Sequence, residues 1–182
     1  LDVLARFWCP EARIHDRHNK YRQQYRVWAE RGLIKATPGD AIDYDFVVKQ
    51  VLDDAQKFQL VDLNIDRLFQ AHQVAVKLMD ELGENRVVGM GQGFLSMAAP
   101  MKEFERRLLA RKIHHGGNAV LRWMAGNVAV KQDPAGNLKP DKASSQGKID
   151  GIVALVMALD RAMRHGRVAG KSVYEKRGVV AL

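Results

Sequence analysis

One aspartate of this sequence stands where a predicted strand ends. Asp66 follows residues 60–65, in which apolar and polar side chains alternate, and such alternation is typical of a half-buried strand. In α/β proteins the carboxyl ends of strands are where binding and catalytic groups gather, so Asp66 is a candidate for chemistry. Taken alone, a turn residue or the N-cap of the next helix is the more common role for an aspartate in this position.

A second aspartate, Asp150, stands at the start of a strongly apolar helix. The pattern predicts this helix over residues 148–164, and the positive end of its dipole favours an anion at the first turn. A simple helix cap is again the alternative. Apolar side chains lie almost all round the helix: Ile149, Ile152, Val153, Val156, Leu159 and Met163.

Two carboxylates at one edge of a sheet would suit a hard divalent cation. Mg2+ takes only one or two protein carboxylates and keeps water and phosphate oxygens as its other ligands. Paired metal ions about 4 Å apart can activate a water and stabilise the leaving oxygen of a phosphodiester. The 84-residue separation of Asp66 and Asp150 makes this a possibility only.

Positive charge is the other functional signal. The 182-residue chain has 29 Lys and Arg against 21 Asp and Glu, a net charge of +8, which fits a polyanionic partner. Arg67 stands beside Asp66, and Lys139, Lys142 and Lys148 precede Asp150 in a polar loop. These four side chains are candidates for sequence-independent contacts with a DNA backbone, although a solvated loop would have a similar composition.

Several classes of protein and site are disfavoured. Cys9, the only cysteine, cannot form an internal disulfide, which favours a reducing compartment and a role as a small core residue. The longest apolar stretch, residues 152–159, is too short to span a bilayer, and no signal peptide is recognisable. No nucleotide-binding motif is present, and the pair His114 and His115 is interpreted as polar loop surface.

Hydrophobic periodicity predicts one α/β domain over residues 1–165 and a basic tail over 166–182. Strands are predicted at residues 1–9, 60–65 and 86–90, separated by helices, an order that favours a sheet with helices on both faces. Tyr21, Tyr25 and Trp28 would share one helical face and pack against the body. Asp43 or Asp45 would cap the following helix.

Later elements are predicted from turn residues. Pro100 is expected in the first turn of a helix that reaches about residue 112, and another helix is expected over 119–127. The polar residues 133–147 contain two prolines and two glycines and are expected to form a mobile loop.

Taken in order, the segments of residues 30–163 resemble the C-terminal nuclease domain of the large terminase subunit of tailed bacteriophages. Each is weak alone, and their order and spacing make the match specific. The matching segments are ATPGDAIDY at 36–44, IDR at 65–67, GQGF at 91–94, SM at 96–97, PMKEFE at 100–105, HGGN at 115–118, LRWM at 121–124 with Asn127, DPAGNLKP at 133–140 and KIDGIVAL at 148–155.

The resemblance implies an RNase H-like fold, a mixed sheet flanked by helices, and an endonuclease dependent on Mg2+ or Mn2+ at a two-metal site. It implies cutting of concatemeric viral double-stranded DNA during packaging in the host cytoplasm. The family's partners would be an ATPase domain of the same polypeptide, the small terminase subunit and the portal. The aspartate of the family's "DR" pair corresponds to Asp66, and that of its "KIDG" motif to Asp150.

One departure from the family pattern affects the expected activity. The family's first metal-binding aspartate lies on a strand before the segment that begins at Leu1, and Asp2 does not fit that motif. We therefore expect the first strand to be absent from this chain, metal to bind weakly and DNA to be cut poorly. Two rivals remain: a non-catalytic module that holds DNA or docks the motor, and another RNase H-like nuclease such as a resolvase or transposase.

Overall fold

The computed structural model of the chain describes residues 1–67 and 71–165, so the predicted tail over 166–182 lies outside the described residues. The described part combines short strands with longer helices, as the α/β prediction requires. In chain order its elements are β1 Trp8–Pro10, α1 Glu11–His15, α2 Arg22–Glu30, β2 Lys35–Thr37, α3 Tyr44–Lys57, β3 Leu63–Asp66, α4 Ala71–Leu82, a 3-10 turn Glu84–Arg86, β4 Val87–Met90, α5 Phe94–Leu109, α6 Ala119–Asn127, β5 Val130–Gln132, β6 Leu138–Pro140 and α7 Asp150–His165.

The strands pair in three two-stranded ladders within the described residues. β1 pairs with β2 and β3 with β4, both parallel, whereas β5 and β6 form an antiparallel hairpin. The expected single mixed sheet is therefore not seen as one continuous ladder. With three or four residues per strand, few hydrogen bonds hold each pair, so packing against helices must stabilise them.

Two apolar cores hold these elements together. The larger core surrounds the buried face of α7, where Val156 is 0% exposed, and includes side chains of α2, α5 and α6 as well as Met90 of β4. The smaller core packs α3 and α4 onto β3 and β4 through Val48, Val74 and Leu78. The sequence prediction that α7 is buried is confirmed, except that Met163 is 40% exposed.

The aromatic side chains around α2 pack against α6, as expected. Tyr25 and Trp28 lie on one helical face with ring centroids 5.8 Å apart, and Trp123 contacts both rings edge-on. Trp28 is buried in the larger core. The cap prediction is also confirmed, because the Asp43 carboxylate accepts a hydrogen bond from the Asp45 backbone N–H at the start of α3.

Two sequence expectations are wrong in detail. α5 begins at Phe94, so Pro100 is the seventh residue of the helix and not part of its first turn. A buried proline there costs the helix one backbone hydrogen bond, which core packing must offset. Residues 133–147 are not simply a loop, because β6 lies within them. Asn137 donates its backbone and side-chain N–H groups to the Asp133 carboxylate, and this closes the hairpin turn.

No helix within residues 1–67 and 71–165 is long and apolar enough to cross a membrane.

Candidate metal centre

Asp66 is the last residue of β3, where it lies opposite Met90 in the parallel ladder with β4. Its side chain is partly buried, and the Gln92 amide donates a hydrogen bond to Asp66 Oδ2 at 2.5 Å. Gln92 lies just after β4, so the same edge of the ladder supplies both groups. The sequence analysis did not single out Gln92, although its position after the neighbouring parallel strand was a usable signal.

Arg67 extends the same edge with a positive charge. Its backbone N–H donates to the Met90 carbonyl at 3.2 Å, and its side chain lies beside Gly89, within β4, and Gly91, just after β4. A Cβ atom at Gly91 would lie 3.1 Å from Arg67 Nη2, and one at Gly89 would lie 3.3 Å from Arg67 Cβ. The two glycines therefore allow the guanidinium group to lie close to the backbone beside Asp66.

Asp150 is the first residue of α7 and is exposed to solvent. Lys142 Nζ lies 3.2 Å from Asp150 Oδ1, in an ion pair whose side chains are 52% and 59% exposed. The negative charge at this position suits the positive end of the helix dipole. Because the pair is exposed to solvent, it contributes little to stability, and Lys142 can exchange Asp150 for another anion.

The packing of β3 against α7 fixes where the two aspartates lie relative to each other. Asn64 Nδ2 donates to the Met157 carbonyl at 2.7 Å, and Arg161 Nε donates to Asp62 Oδ2 at 2.7 Å. The strand advances from Asp62 to Asn64 while the helix partner moves back from Arg161 to Met157, so the strand and the helix run in opposite directions. Two residues along a strand cover about 6.6 Å and four along a helix about 6 Å, so the two spacings match.

Continuing this register brings the last residue of β3 level with about Val153, one helical turn from the start of α7. In this register Asp66 and the first turn of α7 point toward the same end of the packing between β3 and α7, and each aspartate has its own polar partner. Both carboxylates offer hard oxygen atoms, which are the ligands that Mg2+ prefers. Within the described part of the chain, no group of three or more His, Cys, Asp and Glu side chains is arranged to hold a metal ion.

The predicted DNA-binding side chains have different neighbours in the structure. Lys142 pairs with Asp150, and Lys148 lines a cleft beside it. Lys139, on β6, lies over the ring of Phe94 at 5.3 Å from its centroid. Phe94 is the first residue of α5, directly after Gly93, so Lys139 lies beside the start of that helix.

The next residues are those that the sequence analysis interpreted as structural, Cys9 and the pair His114 and His115. Cys9 packs against the larger core, and burial raises the pKa of its thiol while the positive charges of Arg13 and Lys148 oppose that rise. His114 is exposed, with Nδ1 3.3 Å from Asp2 Oδ1. His115 differs from its interpretation as loop surface, because its Nδ1 atom is buried and makes no hydrogen bond within the described residues.

Comparison with known proteins identifies the group to which the chain is related. Residues 9–166 match the family model described as "Terminase large subunit, endonuclease domain". The large terminase subunit of Enterobacteria phage HK97 is 36% identical over 162 residues, which cover 88% of this chain and 32% of that protein. Protein YmfN of Escherichia coli is 32% identical over 167 residues, covering 88% of this chain and 36% of the relative.

A solved structure gives the same result. The crystal structure of the HK97 bacteriophage large terminase superposes with a TM-score of 0.79 at 36% identity, and the match covers 88% of this chain and 33% of the other. The chain thus spans about a third of the length of the relatives it matches. Because the family model covers most of the sequence and the relatives align with most of it, this chain belongs to the terminase large subunit endonuclease domain family.

Proposed function

We propose that this chain is a metal-dependent DNA endonuclease domain that cuts concatemeric double-stranded DNA during viral packaging. In this proposal residues 1–165 form an RNase H-like nuclease domain, and Asp66 and Asp150 bind Mg2+ or Mn2+ at a two-metal site. The observation that supports the proposal most is the match of residues 9–166 to the terminase endonuclease family, together with the position of Asp66 at the end of β3 and of Asp150 at the start of α7.

The chemistry of the donor set fits the implied cation. Two carboxylates leave most coordination positions to water and phosphate, which is the arrangement that Mg2+ prefers. When bound, such ions activate a water and stabilise the leaving oxygen of a phosphodiester.

The chain's own residues then have distinct roles. The Gln92 amide donates to Asp66 Oδ2 and so fixes the orientation of that carboxylate. Lys142 releases Asp150 and contacts a DNA phosphate.

The remaining cations would hold the duplex by its backbone. Arg67 follows Asp66 in the chain, Lys142 pairs with Asp150, Lys148 precedes α7, and Lys139 lies over Phe94. Contacts to phosphates carry no sequence information, so we propose cutting with little sequence preference. We also propose the host cytoplasm as the site of action and an ATPase domain of the same polypeptide, a small terminase subunit and a portal as partners.

A second candidate is a non-catalytic module that holds DNA or docks the packaging motor. The ion pair between Lys142 and Asp150 favours it, since a purely structural aspartate would keep such a partner. The two proposals differ in the affinity for metal, because only the first requires Asp66 and Asp150 to bind the same cations.

The test compares three isosteric variants of the chain: Asp66→Asn, Asp150→Asn and the control Asp53→Asn. Asp53 is a carboxylate on α3 that lines a surface groove between α3 and α4, which contains neither Asp66 nor Asp150. We expect the first two changes to weaken Mn2+ binding, measured by electron paramagnetic resonance, by at least about 10-fold, because each removes a charged ligand, and to lower any nicking of supercoiled plasmid that the wild-type chain shows. The control should match the wild type in both measurements. Unchanged Mn2+ affinity in both site variants would overturn the proposal and favour the non-catalytic module.

A further inference from the structure

One leucine at the start of α5 is completely exposed to solvent. The Leu95 side chain is 100% exposed and is the second residue of the helix. Single apolar side chains on a surface are ordinary, but Leu95 differs from most of them in its neighbourhood. Gln92, three residues earlier, donates the hydrogen bond to Asp66 Oδ2, so Leu95 follows directly on the candidate metal centre.

Leu95 lies on the side of α5 that faces away from the core. Met97 and Met101 are 0% and 5% exposed and pack with Met90 of β4 in the larger core. Residues two apart in a helix point about 200° apart, so Leu95 is directed away from both the core and the strands. Addition of a further strand to the sheet would therefore leave Leu95 exposed.

The exposed face of α5 changes from apolar to basic along the helix. Leu95, Ala99, Lys102 and Arg106 are all exposed, and their i, i+4, i+7 and i+11 spacing places them on one helical face. Lys102 lies about 10 Å from Leu95 along the axis, at 1.5 Å per residue. Arg106 is engaged by the Glu103 carboxylate, with Nε and Oε2 2.7 Å apart, so Lys102 is the better placed of the two to contact an anion.

Two further cations lie near the start of α5. The Lys139 ammonium group lies 5.3 Å from the centroid of the aromatic ring that precedes Leu95 in the chain. The Arg67 side chain lies beside Gly91, where an added Cβ would be 3.1 Å from Arg67 Nη2. Together with Lys102, these side chains give positive charge to the part of the surface from which Leu95 projects.

An aliphatic side chain that projects from a basic surface is suited to deform duplex DNA. In proteins that bind the minor groove, Lys and Arg contact the backbone while Leu, Ile, Met or Phe inserts between two base pairs, unstacks them and kinks the duplex by about 20–90°. Burial of the leucine side chain between the bases offsets part of the cost of unstacking, and the phosphate contacts supply the rest.

We propose that Leu95 inserts into a base step of duplex DNA beside the phosphodiester that is cut, while Lys102 and Lys139 contact neighbouring phosphates. This inference deepens the proposed nuclease function and rests on it for the role of the kinked duplex. Pyrimidine–purine steps such as TA unstack most easily. The proposal therefore adds a modest preference for TA steps, which arises from deformation of the duplex and not from contacts with base edges.

The test measures base unstacking directly, in EDTA, so that it depends on neither metal nor cleavage. The ligand is a short duplex of alternating T and A in which 2-aminopurine replaces several adenines, and the fluorescence of 2-aminopurine rises when its stacking neighbours are lost. The anisotropy of a dye at the end of the duplex reports binding separately. At saturation with the wild-type chain we expect the 2-aminopurine fluorescence to rise at least about 2-fold, and to rise less on a stiff A-tract duplex of equal length.

Variants separate insertion from the phosphate contacts. Leu95→Ala should remove the rise in fluorescence without changing the slope of log affinity against log salt, and Leu95→Met, which keeps a long apolar side chain, should restore most of the rise. Lys102→Ala should make that slope less negative by about 0.9, the value for one phosphate contact on a duplex. The control is Leu109→Ala, because Leu109 is 78% exposed on the same helix but lies about 21 Å from Leu95 along the axis; it should match the wild type.

The proposal would be overturned if the wild-type chain failed to bind the duplex or bound it without a rise in fluorescence, or if Leu109→Ala lost as much of the rise as Leu95→Ala. An equal rise with the wild type and Leu95→Ala would also overturn it, and would mean that Leu95 contacts something other than bases, such as a polypeptide surface. Failure of the nuclease proposal is a separate outcome, because it would show in the Mn2+ affinity of the Asp66 and Asp150 variants.

Discussion

A nearly buried carboxylate, Asp62, clamps β3 to the last turn of α7. Its side chain is only 6% exposed. Arg161 Nε lies 2.7 Å and His165 Nε2 2.5 Å from the same oxygen, Asp62 Oδ2. Since this clamp fixes the strand that ends in Asp66 against the helix that begins with Asp150, its loss should disturb both the stability of the domain and the positions of these two aspartates.

The cost of Asp62→Asn follows from the burial of the three side chains. Breaking a buried ion pair costs about 3–5 kcal/mol, and losing an exposed one about 0–1 kcal/mol. Asp62 is almost buried, but Arg161 and His165 are 20% and 38% exposed, so water can solvate the cations left behind. We therefore expect a loss of about 2 kcal/mol of unfolding free energy, which lowers the Tm of a domain of this size by about 4–8 °C.

The loss should depend on pH in a defined direction. Burial raises the pKa of Asp62, but the hydrogen bonds from Arg161 and His165 outweigh it and hold that pKa below the ordinary value of 3.8. A lowered pKa adds stability above the ordinary value, and this stability is lost as the pH falls through the lowered one. The difference between wild type and Asp62→Asn should therefore be full at neutral pH and shrink below about pH 4.

Urea unfolding followed by circular dichroism is the assay, with Asp45→Asn as the matched control. Asp45 also forms an ion pair, with Lys77, but its side chain is 70% exposed, so its loss should cost less than about 0.5 kcal/mol. Equal unfolding free energies for the two variants at neutral pH would refute the reasoning. So would a difference between wild type and Asp62→Asn that grows as the pH is lowered.

Two further predictions concern Asp66 and the first turn of α7. Gln92→Ala removes the amide that orients Asp66, so we expect Mn2+ affinity to fall about 10-fold with little change in Tm; unchanged affinity would mean that this hydrogen bond does not support a metal site. Gly151→Ala would place a Cβ 2.7 Å from the Phe7 ring, so we expect urea unfolding to show a loss of about 1–3 kcal/mol of unfolding free energy. The control is Gly126→Ala, at a helical site where a Cβ meets nothing within 4 Å, and it should not destabilise the protein. Equal stability of these two glycine variants would contradict the packing around α7.

The features that local sequence determines were predicted well. The predicted helix over residues 119–127 is confirmed at both ends. Its start has a local cause, because the Asn118 side chain accepts a hydrogen bond from the Leu121 backbone N–H. α4 ends at Leu82, where Gly83 adopts a positive φ of 95° that most residues avoid, so the glycine itself is a local signal for the end of the helix. A cap or a glycine acts within a few residues, so its signal is present in a single sequence.

The features that depend on distant partners were predicted poorly. β6 was missed because its three residues are ordered by pairing with β5, and the hairpin turn depends on how Asp133 bonds to Asn137. Phe58 fits the apolar face of α3 by spacing but follows the last residue of that helix and is 53% exposed. Short strands and chain ends gain their order from tertiary contacts, which periodicity does not report.

In the candidate site, too, local features could be predicted from the sequence and contacts between distant residues could not. The positions of Asp66 and Asp150 at element ends could be inferred from the sequence, because each follows or opens a strongly patterned segment. Their polar partners could not, since the bond from Gln92 spans 26 residues and follows from the pairing of β3 with β4. The cleft beside Asp150 was also hidden, because residues from α2, α6 and α7 form it only in the folded chain.

The central claim is that Asp66 and Asp150 bind the same divalent cations at one edge of the domain. Anomalous diffraction from crystals of the chain soaked in Mn2+ tests it most directly. The account predicts Mn2+ peaks within coordination distance of an oxygen of each aspartate, with the paired ions about 4 Å apart. Carboxylates more than about 8 Å apart, or a peak that touches neither aspartate, would contradict it, because such a geometry cannot support two-metal chemistry.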